Sequence, residues 1–202
     1  MKRIFHKSIL RAYDIRGVVG ETLNTEDAYA LGYKFSCYAR EKNKISRIVV
    51  GYDGRLSSKL LNTELIRGLV DAGSQVTSIG ICPSPMLYYA DKVLKTDGAI
   101  MITGSHNPSN YNGFKMTIRG KSLYGKEILR LSEYNKKGLL QKGSIKKFKI
   151  EDSYILEITK EIEYLKQDLK VVWDTGNGAA GNIITKILFV FSNDTRISFT
   201  IT

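Results

Sequence analysis

Residues 98 to 115 read Gly-Ala-Ile-Met-Ile-Thr-Gly-Ser-His-Asn-Pro-Ser-Asn-Tyr-Asn-Gly-Phe-Lys. The opening apolar run predicts a buried strand over Gly98 to Thr103, and Gly113 to Ile118 reads as a returning strand. Between them, Asn107-Pro108 and Asn112-Gly113 are turn signals. This strand-loop-strand unit puts Ser105 between Gly104 and His106 at the carboxyl end of a strand, and it brings Lys115 back within folding distance. A serine hydroxyl is a weak nucleophile until a base, cation or metal activates it, so its neighbours decide what it can do. The competing reading is an ordinary polar loop in which the His is only solvated.

Working outward, strands and helices alternate. Thr25 reads as an N-cap, with Glu26 and Asp27 in the first turn and Ala28, Leu31, Phe35 and Tyr38 at helical spacing up to about Arg40. A β-branched run from Arg47 to Tyr52 ends at Asp53-Gly54. There Ser57 or Ser58 caps a helix whose Leu61, Leu65 and Leu69 share a face before Gly73 stops it. Gln75 to Ile79 is the next strand, the Pro83-Ser84-Pro85 turn starts a helix over Met86 to Leu94, and a further helix covers Lys126 to Lys137. Ile155, Ile158, Ile162 and Leu165 then repeat at helical spacing. The strand Leu169 to Trp173 and a Gly-rich loop opening a helix near Ala179 follow. Such loops bind phosphate in some proteins, but a tight turn packing helix on strand is the better reading here. The alternation is that of an α/β protein.

Composition narrows the class. A hydrophobic content of 43% over 202 residues supports a packed core. Cys37 and Cys82 are far apart in sequence, and neither has a second Cys or a His at metal-ligand spacing, which argues against a disulfide or a zinc site. The basic start, Met1 to Lys7, is followed by no apolar stretch long enough for a signal peptide or a membrane span, so the expected location is the cytoplasm. The net charge is +11, and the basic excess is densest in residues 121–149, which hold nine basic and two acidic side chains. Without interleaved aromatics for base stacking, Lys136-Lys137 and Lys146-Lys147-Phe148-Lys149 read as a solvated helix tail plus an exposed hairpin or linker, not as a nucleic-acid surface. Positive potential also attracts anionic substrates, without choosing among them.

The serine loop resembles that of the α-D-phosphohexomutases, the phosphomannomutase and phosphoglucomutase family, whose signature is Thr-(Ala/Gly)-Ser-His-Asn-Pro followed by Asn-Gly-x-Lys. Four more stretches are similar to motifs of that family, in the same order. They are Tyr13-Asp14-Ile15-Arg16-Gly17, Gly51-Tyr52-Asp53-Gly54-Arg55-Leu56-Ser57, Cys82-Pro83-Ser84-Pro85-Met86 with Ser84 where Thr is usual, and the run from Lys170 to Gly181. The likeness extends from about Ile9 to about Lys186. It implies an α/β fold with a mixed sheet and helices on both faces in domain one, plus the truncated start of a second similar α/β domain. The expected organisation is domain one over residues 1–140, a linker and incomplete second domain over 141–186, and a tail over 187–202 that departs from the family pattern and could form a hairpin.

What the resemblance implies about chemistry is specific. Ser105 carries a phosphate, gives it to a hydroxyl of a hexose monophosphate and takes back the other phosphate of the bisphosphate. Arg16 and His106 supply positive charge around it. Lys115 acts as general acid–base, a role typically worth ~10²–10⁴ in rate. A structural ion pair is the competing role for both arginines: it is favoured for Arg55 with Asp53 and disfavoured for Arg16. Magnesium is implied for the whole family, held by the Ser105 phosphate and an Asp-Gly-Asp-Gly-Asp loop. No Asp-x-Asp occurs in this chain, and the sugar-selecting and distal phosphate loops are also missing. The expectation is therefore a fragment inactive alone on mannose or glucose 1- and 6-phosphates, completed by a separately encoded C-terminal half. The alternative is a degenerate, non-catalytic remnant with weak phosphosugar binding. A serine hydrolase is disfavoured by the absence of Gly-x-Ser-x-Gly.

Overall fold

The computed structural model describes residues 3–139, 141–160, 169–176, 178–191 and 197–201. After a single 3-10 turn at Lys7–Ile9, the chain runs β1 (Ile15–Val18), α1 (Thr25–Asn43), β2 (Arg47–Tyr52), α2 (Ser58–Asp71), β3 (Gln75–Ile81), α3 (Ser84–Val93) and β4 (Gly98–Ile102). It continues with β5 (Tyr111–Ile118), β6 (Lys121–Ser122), α4 (Lys126–Glu133) and β7 (Ser144–Lys147). These elements belong to one compact unit, Met1–Phe148. Its sheet has the order β1-β5-β4-β2-β3-β7, with β6 paired to β5. The strands β4, β2, β3 and β7 are parallel, while β5 is antiparallel to both β4 and β1. The sheet is thus mixed, as the resemblance implies.

Side chains alternate across this sheet with period two. Ile48 and Val50 of β2, Ile100 and Ile102 of β4, and Phe114 and Met116 of β5 enter the main core with Leu31 and Phe35 of α1, Leu61, Leu65 and Leu69 of α2, and Ile128 and Leu131 of α4. The intervening Val49, Ala99 and Met101 are buried on the opposite face, where α3 packs on β2 and β4 and buries Met86, Leu87 and Ala90. Helices therefore cover both faces. The helices α1 and α2 cross at two glycines. A Cβ on Gly32 would sit 2.1 Å from the Leu65 carbonyl oxygen, and one on Gly68 would sit 2.0 Å from that of Tyr29. Backbone meets backbone there because neither residue has a side chain.

Several boundaries differ from the sequence reading. The N-cap of α1 is Asn24, whose backbone N–H donates to Asp27 Oδ2 at 2.9 Å, and Thr25 is the first helical residue. Ser57 occupies the N-cap of α2 without a capping side-chain bond, and the Ser58 hydroxyl instead donates to Asp53. Helix α4 stops at Glu133, where Lys34 of α1 reaches its end and Nζ donates to the Ser132 carbonyl oxygen at 2.7 Å. Residues 144–147, expected in an exposed hairpin or linker, form the edge strand β7, registered on β3 from Gln75↔Ser144 to Ser78↔Lys147. All four residues of β7 are exposed, and its lysines discourage further strand pairing along this edge.

The second unit, Lys149–Thr202, contains α5 (Glu151–Thr159), β8 (Leu169–Trp173), α6 (Gly181–Phe191) and β9 (Ile197–Ile201). The stretch Ile187 to Phe191 is helical and not a hairpin strand; Ile183 and Ile187, four apart, are both buried. β9 pairs with β8 in parallel, from Leu169↔Ile197 to Trp173↔Ile201, so the tail completes a strand-helix-strand unit. Lys186 of α6 forms a salt bridge to Glu151 of α5 at 2.6 Å. The helical positions Ile162 and Leu165 lie outside the described residues. Among the described residues, no helix is long and apolar enough to cross a membrane.

Candidate active site

The carboxyl ends of β2 and β4 lie side by side, registered Tyr52↔Ile102, and the loops that follow them interlock. From the first loop, Asp53 Oδ2 accepts the Gly104 backbone N–H at 3.1 Å, and Asp53 Oδ1 accepts the Arg55 backbone N–H at 3.1 Å. The Arg55 guanidinium then reaches across and donates to four carbonyl oxygens, three of the second loop and one at the start of β5. These are Pro108 at 2.6 Å, Tyr111 at 3.0 Å, Ser105 at 2.9 Å and Asn107 at 2.6 Å. A Cβ on Gly104 would lie 2.4 Å from the guanidinium carbon, so the clamp closes only over glycine. The expected Arg55–Asp53 ion pair is present at 3.4 Å, but it serves mainly to aim the fork.

Held this way, Ser105 adopts φ 53°, a left-handed conformation unusual for a side-chain-bearing residue, costing about 1–2 kcal/mol. Its backbone N–H donates to Thr103 Oγ1 at 2.9 Å, and its carbonyl is one of the Arg55 acceptors. The side chain is exposed, with Oγ 3.4 Å from His106 Nδ1. Asn107 closes the turn, its N–H and its side-chain amide both donating to the Gly104 carbonyl oxygen at 3.1 Å. Strain concentrated at one exposed hydroxyl is a recurrent property of reactive sites.

Arg16 and Lys115 meet in a cleft of about 410 Å³, together with Tyr13, Asp14, Tyr88 and Tyr124. β1 and β5 bring them there: Arg16 lies opposite Gly113, two residues from Lys115, and Lys115 is paired with Met101 of β4. Contrary to the sequence reading, Arg16 has a carboxylate partner, a salt bridge to Asp14 two residues earlier on the same segment. Its Nε is buried with no hydrogen-bond partner, which leaves a donor for a ligand. Ser105 and His106 do not line this cleft. The structure thus groups Ser105 with His106 and Arg16 with Lys115.

Sequence reading missed two contributors, Asn112 and the clamping role of Arg55. Asn112 is wholly buried in β5, and its side-chain amide donates to Ser57 Oγ at 2.8 Å and Ser58 Oγ at 2.9 Å, tying the start of α2 to the serine loop's exit. The signal for Arg55 was its place directly after β2, in a sheet whose strand ends carry loops that bind ligands. Cys82, also near these strand ends, is no rival nucleophile, because burial pushes its thiol up to about 12.

Residues 7–138 match the family described as phosphoglucomutase/phosphomannomutase, alpha/beta/alpha domain I. The chain belongs to the phosphoglucomutase/phosphomannomutase family. It is 45% identical over 183 residues to a phosphomannomutase/phosphoglucomutase of Pseudomonas putida, an alignment covering 90% of this chain and 39% of that protein. To a phosphoglucomutase of Neisseria meningitidis serogroup B it is 41% identical over 185 residues, or 90% of this chain and 40% of the relative. A solved structure of a phosphoglucomutase/phosphomannomutase family protein from Burkholderia thailandensis superposes with a TM-score of 0.87 at 34% identity, over 98% of this chain and 44% of that one. The chain therefore spans about 40% of the length of the curated relatives it matches.

Proposed function

We propose that Ser105 carries the phosphoryl group of a phosphohexomutase-type reaction on glucose or mannose phosphates. The observation that carries this reading is the exposed Ser105 hydroxyl, held at φ 53° by the four-carbonyl Arg55 clamp and neighboured by His106. The names of the relatives, phosphomannomutase/phosphoglucomutase and phosphoglucomutase, supply the substrate class.

In the transfer, the oxygen of a sugar hydroxyl forms a bond to the phosphorus of phosphorylated Ser105 while the bond from phosphorus to Ser105 Oγ breaks. Lys115 is the group placed to take the hydroxyl proton, and the bond electrons stay on Ser105 Oγ, to which His106 Nδ1 at 3.4 Å can donate. Arg16, with its unpartnered Nε, neutralises the charge spread over the transferring oxygens. The reverse sequence, with the bisphosphate presenting its other phosphate, restores the phosphoserine and releases the isomer. The two pairs of residues must converge on one sugar for this to work, and the sugar and its phosphates bridge them.

Magnesium is the metal that the family implies, but this chain's own donors do not fit a resident ion. Among the described residues no three His, Cys, Asp or Glu side chains cluster to hold one. Because the chain spans about 40% of its relatives, the remaining metal and sugar contacts are assigned to further polypeptide acting with it. A cytoplasmic location and the absence of turnover by this chain alone belong to the same proposal. The test is incubation with glucose 1,6-bisphosphate followed by phosphopeptide mapping. Label on Ser105, absent from Ser105→Ala, is expected. A folded protein that never labels there overturns the assignment.

A further inference from the structure

A cleft of about 800 Å³ in the first unit lies at the opposite ends of the strands from Ser105. Arg47 begins β2, Asp97 directly precedes β4, Thr117 lies near the end of β5 with Arg119 and Gly120 just after it, and all of these line it. Ser105 follows the other end of β4, and that strand's five residues separate the two sites by about 17 Å. None of Arg16, Ser105, His106 and Lys115 lines this cleft, although it shares Tyr88 and Ser122 with the cleft of Arg16 and Lys115.

Its charge is strongly one-sided. Arg47, Lys92, Lys95 and Arg119 face Asp91 and Asp97. Both carboxylates are engaged, Asp91 by the Thr96 hydroxyl at 2.6 Å and Asp97 by Arg47 at 3.5 Å. Arg119 spends one N–H on the Asn43 carbonyl oxygen at 2.8 Å, and among the described residues no salt bridge engages Lys92, Lys95 or Arg119. On the floor, Thr117 is 5% exposed and its Oγ1 is a buried polar atom without a hydrogen-bond partner. Leaving a buried hydroxyl unmade costs about 1–3 kcal/mol, so a hydroxyl at the base of a cationic cleft is best explained by a ligand that completes it.

We infer that this cleft is a binding site for a small phosphate ester, separate from the serine loop. A phosphate offers several acceptor oxygens at one point, which suits two ammonium groups, a guanidinium and the Thr117 hydroxyl together. The volume is within the range of pockets that hold whole metabolites and exceeds what an inorganic ion fills. The ring of Tyr88, on the wall, supplies a surface for the organic part. The phosphate is the shared chemistry, and the organic part is either a nucleoside or a sugar.

The experiment is an amide-resolved NMR titration of the full chain with AMP, glucose 6-phosphate and inorganic phosphate in separate arms. Saturable shifts at Lys92, Thr117 and Gly120 are expected with at least one ester, and the tighter ester identifies the organic part. Charge reversal in Lys92→Glu/Lys95→Glu is expected to weaken that binding more than about tenfold. Thr117→Val is expected to weaken it about three- to tenfold, with Thr117→Ser restoring it. Retained spectral dispersion in each variant shows that it has folded. The proposal is overturned by shifts confined to the Arg16, Ser105 and Lys115 region, by affinities unchanged in the folded variants, or by inorganic phosphate binding as tightly as both esters. Absence of saturation by about 10 mM overturns it as well. None of these outcomes bears on phosphorylation of Ser105, which the bisphosphate labelling reads independently.

Discussion

Arg55 is the residue on which the serine loop depends most directly. Its guanidinium donates to four carbonyl oxygens, and its side chain is only 17% exposed. Arg55→Ala should therefore destabilise the first unit by about 2–4 kcal/mol, since several acceptors lose a charged donor at once. It should also slow the labelling of Ser105, because a loop free to relax no longer holds φ 53°. Arg55→Lys should rescue little, as an ammonium is a single point charge that cannot span four acceptors in a fork. Chemical denaturation and the labelling rate, measured side by side, check this. Stability and labelling within error of the parent in Arg55→Ala would show that the clamp is incidental. The sequence made Arg55 legible as a partner for Asp53 but not as a clamp, because its acceptors are carbonyls fifty and more residues away, and backbone carbonyls leave no mark in a sequence.

At the level of elements, the crossing of α1 and α2 places the scaffold's tightest constraint. These helices carry most of the core face that supports β2 and β4, and they meet at Gly32 and Gly68, where an added Cβ would strike a backbone oxygen at 2.1 or 2.0 Å. Gly68→Ala favours the isolated helix by about 1 kcal/mol in propensity. The fold should nevertheless lose stability, by about 1–3 kcal/mol, because two main chains must move apart and the core behind them loosens. Equilibrium unfolding reads the sign directly, and a stabilised Gly68→Ala would refute the close crossing. The pattern of Leu61, Leu65 and Leu69 made α2 readable, and all three are buried. A glycine inside a helix shows in sequence only as a weak point, because what it fits lies on another element. Two further elements resisted sequence reading for the same kind of reason. Strand β7 hides in a run of lysines because an edge strand with both faces solvated shows no alternation. The run from Ile187 to Phe191 has the composition of a strand, and a five-residue apolar run does not by itself distinguish strand from helix.

Over the whole molecule, the five motifs in order identified the family and the serine loop. They said little about the last third, where the pairing of β8 with β9 joins residues 28 apart in sequence, a relation no local pattern encodes. The two units differ in how much apolar surface they cover. The first closes a continuous core from Phe5 to Leu131. In the second, Leu156, Val172 and Phe189 are 68%, 70% and 76% exposed, and among its described residues few apolar side chains are buried. A unit of this size, about 50 residues, buries too little on its own to be more than marginally stable. Hydrogen exchange on the full chain should therefore show strong protection in β2, β4 and β5 and weak protection in β8 and α6. Deleting residues 149–202 should leave the melting transition of the first unit within about 2–4 °C, the shift that roughly 1 kcal/mol would produce in a domain of this size. Uniform protection through Val172 and Phe189, or collapse of the first unit on truncation, would mean that the two units fold as one and that the exposed apolar side chains are covered by association. Running the exchange at several protein concentrations separates those cases, because protection that rises with concentration comes from association and protection that does not is intrinsic to the chain.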